Sequence, residues 1–424
     1  MLSTLRNAWR IPEIRKKIIF TLLMLLVFRL GSSIPVPYMN KEIIADIFEK
    51  TKGGILQFLD LMGGGTLSSF SIFATNIYPY ITASIVIQLL TIAIPRLEEL
   101  AKEGEEGKKK ITKYTRYTAM GLALIQAIGY TFGFFSSALE TINALQTTIV
   151  IITMVAGTAF LMWIGDMITE KGIGNGISLI IFIGIISRLP KDLINTFNLI
   201  SIGELSVIKV VIFAIVFLVI IAFVVALQEG ERRIPVQYAK RVVGRKMYGG
   251  QSTHIPVKVS MAGVMPVIFA SSLLAFPQTI ALFTKGSPSA WITKYLTPQG
   301  NVGVWIYSIL NILLIMFFTY FYTAIQFNTV EYAKNLQQNG GFIPGIRPGR
   351  PTSEHLNRVV TRITFVGGLS LAVLASLPII LSKIFHMHVS FGGTSIIIVV
   401  GVALETVKQM EAQMLMRHYK GFLN

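Results

Sequence analysis

Ten times along the chain a run of about twenty mostly apolar residues recurs, each long enough to cross the hydrocarbon core of a bilayer as a helix. The runs lie near 18–36, 73–94, 114–135, 147–168, 177–199, 206–228, 261–284, 304–327, 359–382 and 389–408. Backbone polar groups have no water partner inside a membrane, so only helices and closed barrels cross it. These runs are continuous rather than alternating, which excludes a barrel. The expected fold class is an all-α polytopic membrane protein with ten transmembrane helices. Composition agrees: 14% of residues are charged and 53% hydrophobic, whereas soluble domains carry roughly a quarter charged residues. The first run follows Arg6, Arg10, Arg15, Lys16 and Lys17 in the manner of a signal peptide. No small-x-small cleavage site follows it cleanly and Arg29 interrupts its tail, so an uncleaved span is expected.

Charge fixes a sidedness. With the N-terminus placed in the cytoplasm, 28 of the 38 Lys and Arg fall in inside segments and 9 outside, with Arg29 within a span. Cytoplasmic loops carry the excess of Lys and Arg, so both termini are expected to be cytoplasmic. The spans divide five and five near residue 203, giving an N-terminal half, 1–203, and a C-terminal half, 204–424. An odd number per half inverts the second relative to the first, and a functional site is expected between them.

Within the spans ionisable groups are scarce: Arg29 is the clear case, and Asp166 and Glu405 sit near cytoplasmic ends. Ion-coupled transporters need polar ligands at mid-depth; here those positions are mostly Ile, Leu, Val and Phe. Such side chains can form an apolar constriction that stops ions by dewetting. The chain has no cysteine, which excludes disulfides, thiolate catalysis and Cys-based metal sites. His386 and His388 have no third ligand nearby, no phosphate-loop pattern occurs, and neither enzymatic activity nor a cofactor is expected. If the process costs energy, a partner must supply it.

Three irregular segments punctuate the pattern. Residues 53–72, GGILQFLDLMGGGTLSSFSI, contain an apolar stretch too short to cross and then three glycines. Two readings stay open on these residues alone: a short helix tucked back into the protein, or a surface loop with one amphipathic turn. A cytoplasmic loop at 229–260 carries Arg232, Arg233, Lys240, Arg241, Arg245, Lys246 and Lys258. A second, at 328–358, contains PGIRPGRPT, whose prolines and glycines forbid a regular helix and hold Arg347 and Arg350 on a stiff tip. The arginine fork suits carboxylate or phosphate partners. The turn GIGNG at 172–176 separates two runs.

The segments SIPVP (33–37), PYITASIVIQLL (79–90), GEEGKKKITKYTRY (104–117), GIGNGIS (172–178), ERRIPVQYAKRVVGRKMYGGQSTHIPVK (231–258), FASSLLAFP (269–277), PGIRPGRPT (344–352) and FGGTS (391–395) resemble the SecY family. Its members are channel subunits of the bacterial protein translocon. The resemblance implies a clamshell of two five-helix halves around an hourglass pore, opening towards lipid between spans 2 and 7. It implies a pore ring of Ile81, Ile85, Ile181, Ile185, Ile268 and Ile398. It implies a plug at 53–72 that includes Leu56, Phe58, Leu59, Leu61, Met62, Gly63, Gly64 and Gly65. It places Thr82, Ser84, Gln88, Ser271 and Ser272 at the lateral gate. Arg232, Arg233, Lys240, Arg241, Arg245, Lys246, Arg347 and Arg350 would receive the SecA ATPase or the ribosome. The implied partners also include SecE and SecG subunits, signal sequences, unfolded preproteins and membrane lipid, in the bacterial plasma membrane. Two stretches depart from the family pattern: Thr75-Asn76-Ile77-Tyr78, where a small apolar residue, Gly and Met are expected, and Met265, where Ile is usual. The competing functions are a secondary transporter of a small solute and an insertase or scaffold that binds ribosomes without a pore.

Overall fold

The structure is a computed structural model and describes residues 2–420 other than 51–59, 61, 62, 140–142, 204, 205, 239, 240, 244, 245, 249–251, 282–290, 293, 297–302 and 385–392. Each apolar run supplies a helix. After α1 (Leu2–Arg10) and α2 (Pro12–Gly31) come α3 (Lys41–Lys50), α4 (Tyr78–Ala93), α5 (Pro95–Lys102), α6 (Glu105–Gly129), α7 (Ala144–Lys171), α8 (Gly176–Ile186) and α9 (Leu189–Ser201). The later helices are α10 (Val207–Glu229), α11 (Met265–Ala281), α12 (Gly303–Gln326), α13 (Thr329–Gln338), α14 (Arg350–Ile384) and α15 (Gly393–Lys420). Among the described residues five helices are long and apolar enough to span by themselves, or six if the bent pair α4 and α5 is one span.

Local chemistry explains where helices depart from the apolar runs. α2 begins at Pro12, before its run, because proline at the first turn presets the helical φ and loses no needed N–H. α4 begins at Tyr78 rather than 73, because Asn76 takes a left-handed φ of 53°. Ile94, held extended before Pro95, turns the chain by 101° into α5. The run expected as one span at 177–199 is two helices, α8 and α9, with Ser187 and Arg188 between them. Pro190 supplies no N–H and its ring crowds the carbonyl four residues back, so the helix cannot run through. Arg350, expected on the stiff tip, instead opens α14.

The turn between α7 and α8 is built from close backbone contact. Asn175 caps α8, its side-chain oxygen accepting from the N–H groups of Ile177 at 3.1 Å and Ser178 at 3.2 Å. The Gly176 N–H donates to Thr169 Oγ1 at 2.9 Å, and the Ile173 N–H donates to Thr21 Oγ1 of α2 at 3.0 Å. Three orphan donors of the α8 N-terminus, the N–H groups of Gly176, Ile177 and Ser178, thus find partners within the protein.

The loop at 231–258 is a folded sheet, a feature outside the all-helical expectation. β1 (Glu231–Tyr238) pairs antiparallel with β4 (Ser252–Lys258), and the short strands β2 (Arg241–Val243) and β3 (Lys246–Tyr248) pair with each other. β5 (Gly341–Phe342) adds to the other edge of β1 through Gln237 and Tyr238. Ile234, Val236 and Val257 point inward onto Phe327, Leu336, Ile343, Leu356 and Val360, while Arg232, Arg233 and Gln237 face out. The two basic loops read separately in the sequence are therefore one body with its own small core.

Candidate functional site

α4, α8, α11 and α15 each place one isoleucine around a small cavity: Ile81, Ile181, Ile268 and Ile398. Asn76, Ile77, Tyr78 and Ser272 complete its wall. The cavity volume is about 10 Å³, room for one water at most, and a water there needs two to four polar partners. The wall is mostly aliphatic. Ile85 and Ile185 lie one turn further along α4 and α8, on the same helix faces. They are buried to 3% exposure and belong to the same apolar cluster, but they do not line the cavity.

The stretch before α4 is folded into the bundle. Asp60 is 2% exposed. Its Oδ1 accepts from the N–H groups of Leu67 at 3.0 Å and Ser68 at 2.8 Å, and its Oδ2 meets Arg188 Nη2 at 2.9 Å. Gly63 and Gly64 are buried and Gly65 is half-buried. A Cβ on Gly64, whose φ is +70°, would meet the Gly184 Cα of α8 at 2.6 Å, so only glycine fits. Further on, Pro35 bridges Ser71, Thr75 shares a hydrogen bond of 2.6 Å with Thr158 of α7, and Phe73 stacks on Phe28 of α2. Leu56, Phe58, Leu59, Leu61 and Met62 lie outside the described residues.

The residues expected at the gate lie on α4 and α11, two helices that contact each other. Thr82, Ser271 and Ser272 are buried, and Ser84 and Gln88 are half-buried. Ser271 Oγ donates to its own helix at Val267 O, 2.8 Å away. Gln88 Nε2 donates to Ser84 Oγ at 3.3 Å. The Tyr322 hydroxyl of α12 donates to Gln88 Oε1, and its ring packs edge-on against Phe269 of α11 at 5.1 Å. Tyr322 was not visible from sequence, because it lies 234 positions from Gln88 in a helix rich in aromatic residues.

Arg232 and Arg233 on the sheet, Arg347 on the loop tip and Arg350 at the start of α14 are exposed. Arg233 pairs with Glu231 at 2.7 Å and Arg350 with Glu354 at 3.0 Å, both solvent-facing pairs worth little in stability. Arg347 sits between Gly345 at φ 80° and Gly349 at φ 97°, and its carbonyl accepts from Thr352 Oγ1 at 2.9 Å, fixing the tip. Lys240 and Arg245 lie outside the described residues, as do the side chains of Arg241 and Lys246.

Lipid-length helices packed about an isoleucine-walled cavity, joined to a folded basic platform, define a polytopic helical membrane protein. The family model SecY matches residues 71–407. The "Protein translocase subunit SecY" of Halalkalibacterium halodurans is 47% identical over 436 residues, covering 100% of both chains. That of Thermotoga maritima is 44% identical, covering 100% of this chain and 98% of its own. The fold is similar to a solved structure described as a protein conducting channel, with a TM-score of 0.67 at 20% identity, covering 94% of this chain and 92% of that one. It is also similar to Sec61 in the canine ribosome-channel complex, with a TM-score of 0.64 at 18% identity, covering 94% and 92%. The chain belongs to the SecY family. It is a translocation channel subunit and not an enzyme.

Proposed function

We propose that unfolded polypeptide crosses the membrane through the position of the isoleucine-lined cavity, between halves 1–203 and 204–424, and that apolar segments leave sideways between α4 and α11. The observation that carries this reading is four isoleucines from four separate helices meeting around a space of about 10 Å³. An aliphatic constriction that narrow stays dry and blocks hydrated ions. A passing chain can push such side chains apart, and they offer it no fixed polar partner to hold it. Ile85 and Ile185 extend the same apolar surface along α4 and α8, and the segment at 53–72, of which 60 and 63–72 are described, acts as the plug that closes one side. Thr82, Ser84, Gln88, Ser271 and Ser272 serve as the polar seam of the gate. In this reading the chain is a bacterial plasma-membrane protein with both termini cytoplasmic, assembled with SecE and SecG.

The test is crosslinking. A preprotein stalled during passage should crosslink to photoreactive probes at Ile81, Ile181 and Ile268. Labelling confined to lipid-facing sites such as Leu218, 64% exposed, would overturn the reading.

The joined sheet and tip serve as the docking platform for the energy source, a SecA motor or a ribosome. Exposed arginines on a rigid tip meet RNA phosphates or acidic side chains in two-point fashion. Such binding weakens steeply with salt. Arg347→Glu should reduce co-purification of ribosomes or of the ATPase at low salt by about ten-fold or more, consistent with the loss of a charge-assisted contact and gain of a repulsion. Binding equal to that of the unaltered chain would remove this tip from the platform.

A further inference from the structure

We infer that Asn311, Ser308 and the Pro277 turn form a buried water site between α11 and α12, and that this site lets α11 bend. The bending role rests on the lateral-exit reading above; the water site does not.

Helix geometry brings the three residues together. Phe269 of α11 packs against Phe318 and Tyr322 of α12, with ring centroids 5.8 and 5.1 Å apart. Positions 311, 315, 318 and 322 share one face of a helix. Asn311 and Ile315 therefore continue, along α12, the face that meets α11. From Asn311 to Phe318 and Tyr322 is about 10–16 Å of helix. Consecutive spans cross in opposite directions. The same distance along α11 thus leads forward from Phe269 to 276–280, the turn that contains Pro277.

Pro277 carries no N–H, so the Leu273 carbonyl, four residues back, loses its donor within the helix. Inside a membrane that carbonyl needs another. At this level α12 carries polar groups that bond nothing else. Asn311 is 1% exposed and Ser308 3%. Among the described residues, the Asn311 Nδ2 and Oδ1 and the Ser308 Oγ have no hydrogen-bond partner. A buried amide left so costs stability. The two side chains, three residues apart on a helix, are neighbours. A buried water makes about three hydrogen bonds; the Asn311 amide, the Ser308 hydroxyl and the Leu273 carbonyl supply them. Water also adapts where a fixed donor cannot. As α11 bends at Pro277, the bridge reorients without breaking, and α11 loosens from α4 with its backbone still satisfied.

The test is a double-mutant cycle read by thermal unfolding in detergent. Asn311→Leu fills the place of the amide and its water and leaves the Leu273 carbonyl without a donor, so the midpoint should fall by about 2–4 °C. In a Pro277→Ala background the alanine N–H takes that carbonyl. Asn311→Leu should then leave the midpoint unchanged or raise it, a coupling that packing alone does not produce. Asn311→Ser keeps a hydroxyl and room for water and should stay close to the unaltered chain. Equal effects of Asn311→Leu in the two backgrounds, or a serine variant as weak as the leucine one, would overturn the water site. Pro277→Ala straightens α11 and should cut by about three-fold the share of a marginally apolar segment that enters the lipid, through a modest rise in the barrier to opening, while soluble preproteins still cross. An unchanged share would overturn the hinge. An unaltered chain that releases no apolar segment would overturn the lateral-exit reading and the bending role with it, whatever the thermal cycle shows.

Discussion

Gly176→Val is expected to prevent accumulation of folded protein in the membrane. A Cβ at position 176 would lie 2.0 Å from the Gly165 carbonyl oxygen, 2.8 Å from its carbon and 2.9 Å from its Cα, while ordinary contact begins at 3.4 Å. All three neighbours are backbone atoms of α7, so no rotamer change relieves the clash. The turn cannot shift as a unit either, because Thr169, Thr21 and Asn175 hold it to α7, α2 and α8. Overpacking costs about 1–3 kcal/mol where side chains can yield; against backbone the cost should exceed that range. A domain has only about 5–15 kcal/mol in total. Gly176→Ala should act in the same direction and more weakly. Gly121, also helical, has nothing within 4 Å of its Cβ position, so Gly121→Ala should be neutral or slightly stabilising through helix propensity. Thermal unfolding in detergent, together with the fraction of monodisperse protein, separates these cases. Equal stability of the 176 and 121 variants would mean that the α7–α8 contact is looser than the packing described.

The ten helices were legible because hydrophobic length is a local property that bilayer thickness makes decisive. The division of the fifth run was also written locally, in Arg188-Leu189-Pro190, but an average over twenty apolar residues hides one proline. The sheet left a trace in the alternation of Ile234 with Val236 and of Ile255 with Val257, overshadowed by the basic residues around them. Its junction with Gly341 and Phe342 could not be read, since nothing in a two-residue strand names its partner. The Asp60–Arg188 pair spans 128 positions and brings together two residues that looked unrelated. The isoleucines present the opposite difficulty. Most runs carry three or more Ile, and periodicity could set Ile81 with Ile85 or Ile181 with Ile185 on one face, but could not say which faces meet. Only the resemblance singled out six, and the cavity gathers four of them from helices that are far apart in sequence.

That gathering makes a large effect predictable. Ile181→Ser combined with Ile268→Ser should raise resting ion leak by about ten-fold or more. The cavity now holds about 10 Å³ and is walled mainly by isoleucine, with Asn76, Tyr78 and Ser272 as its polar side chains. Two serines remove branched side chains from two of the helices that wall the cavity and add two hydroxyls, supplying both the room and the partners a water chain requires. The barrier to an ion is the lack of water, so wetting removes it. Each substitution also costs about 2–5 kcal/mol of core packing, so leak must be compared at equal amounts of folded protein. Ile181→Leu with Ile268→Leu preserves volume and should leave the seal intact. Preprotein translocation should persist in both variants, since a passing chain needs only that the side chains yield. Unchanged leak in the serine variant would place the ion barrier elsewhere, in the segment from Asp60 to Tyr78. Loss of translocation with an intact seal would mean that these isoleucines act as packing for the bundle and not as the rim through which the chain passes.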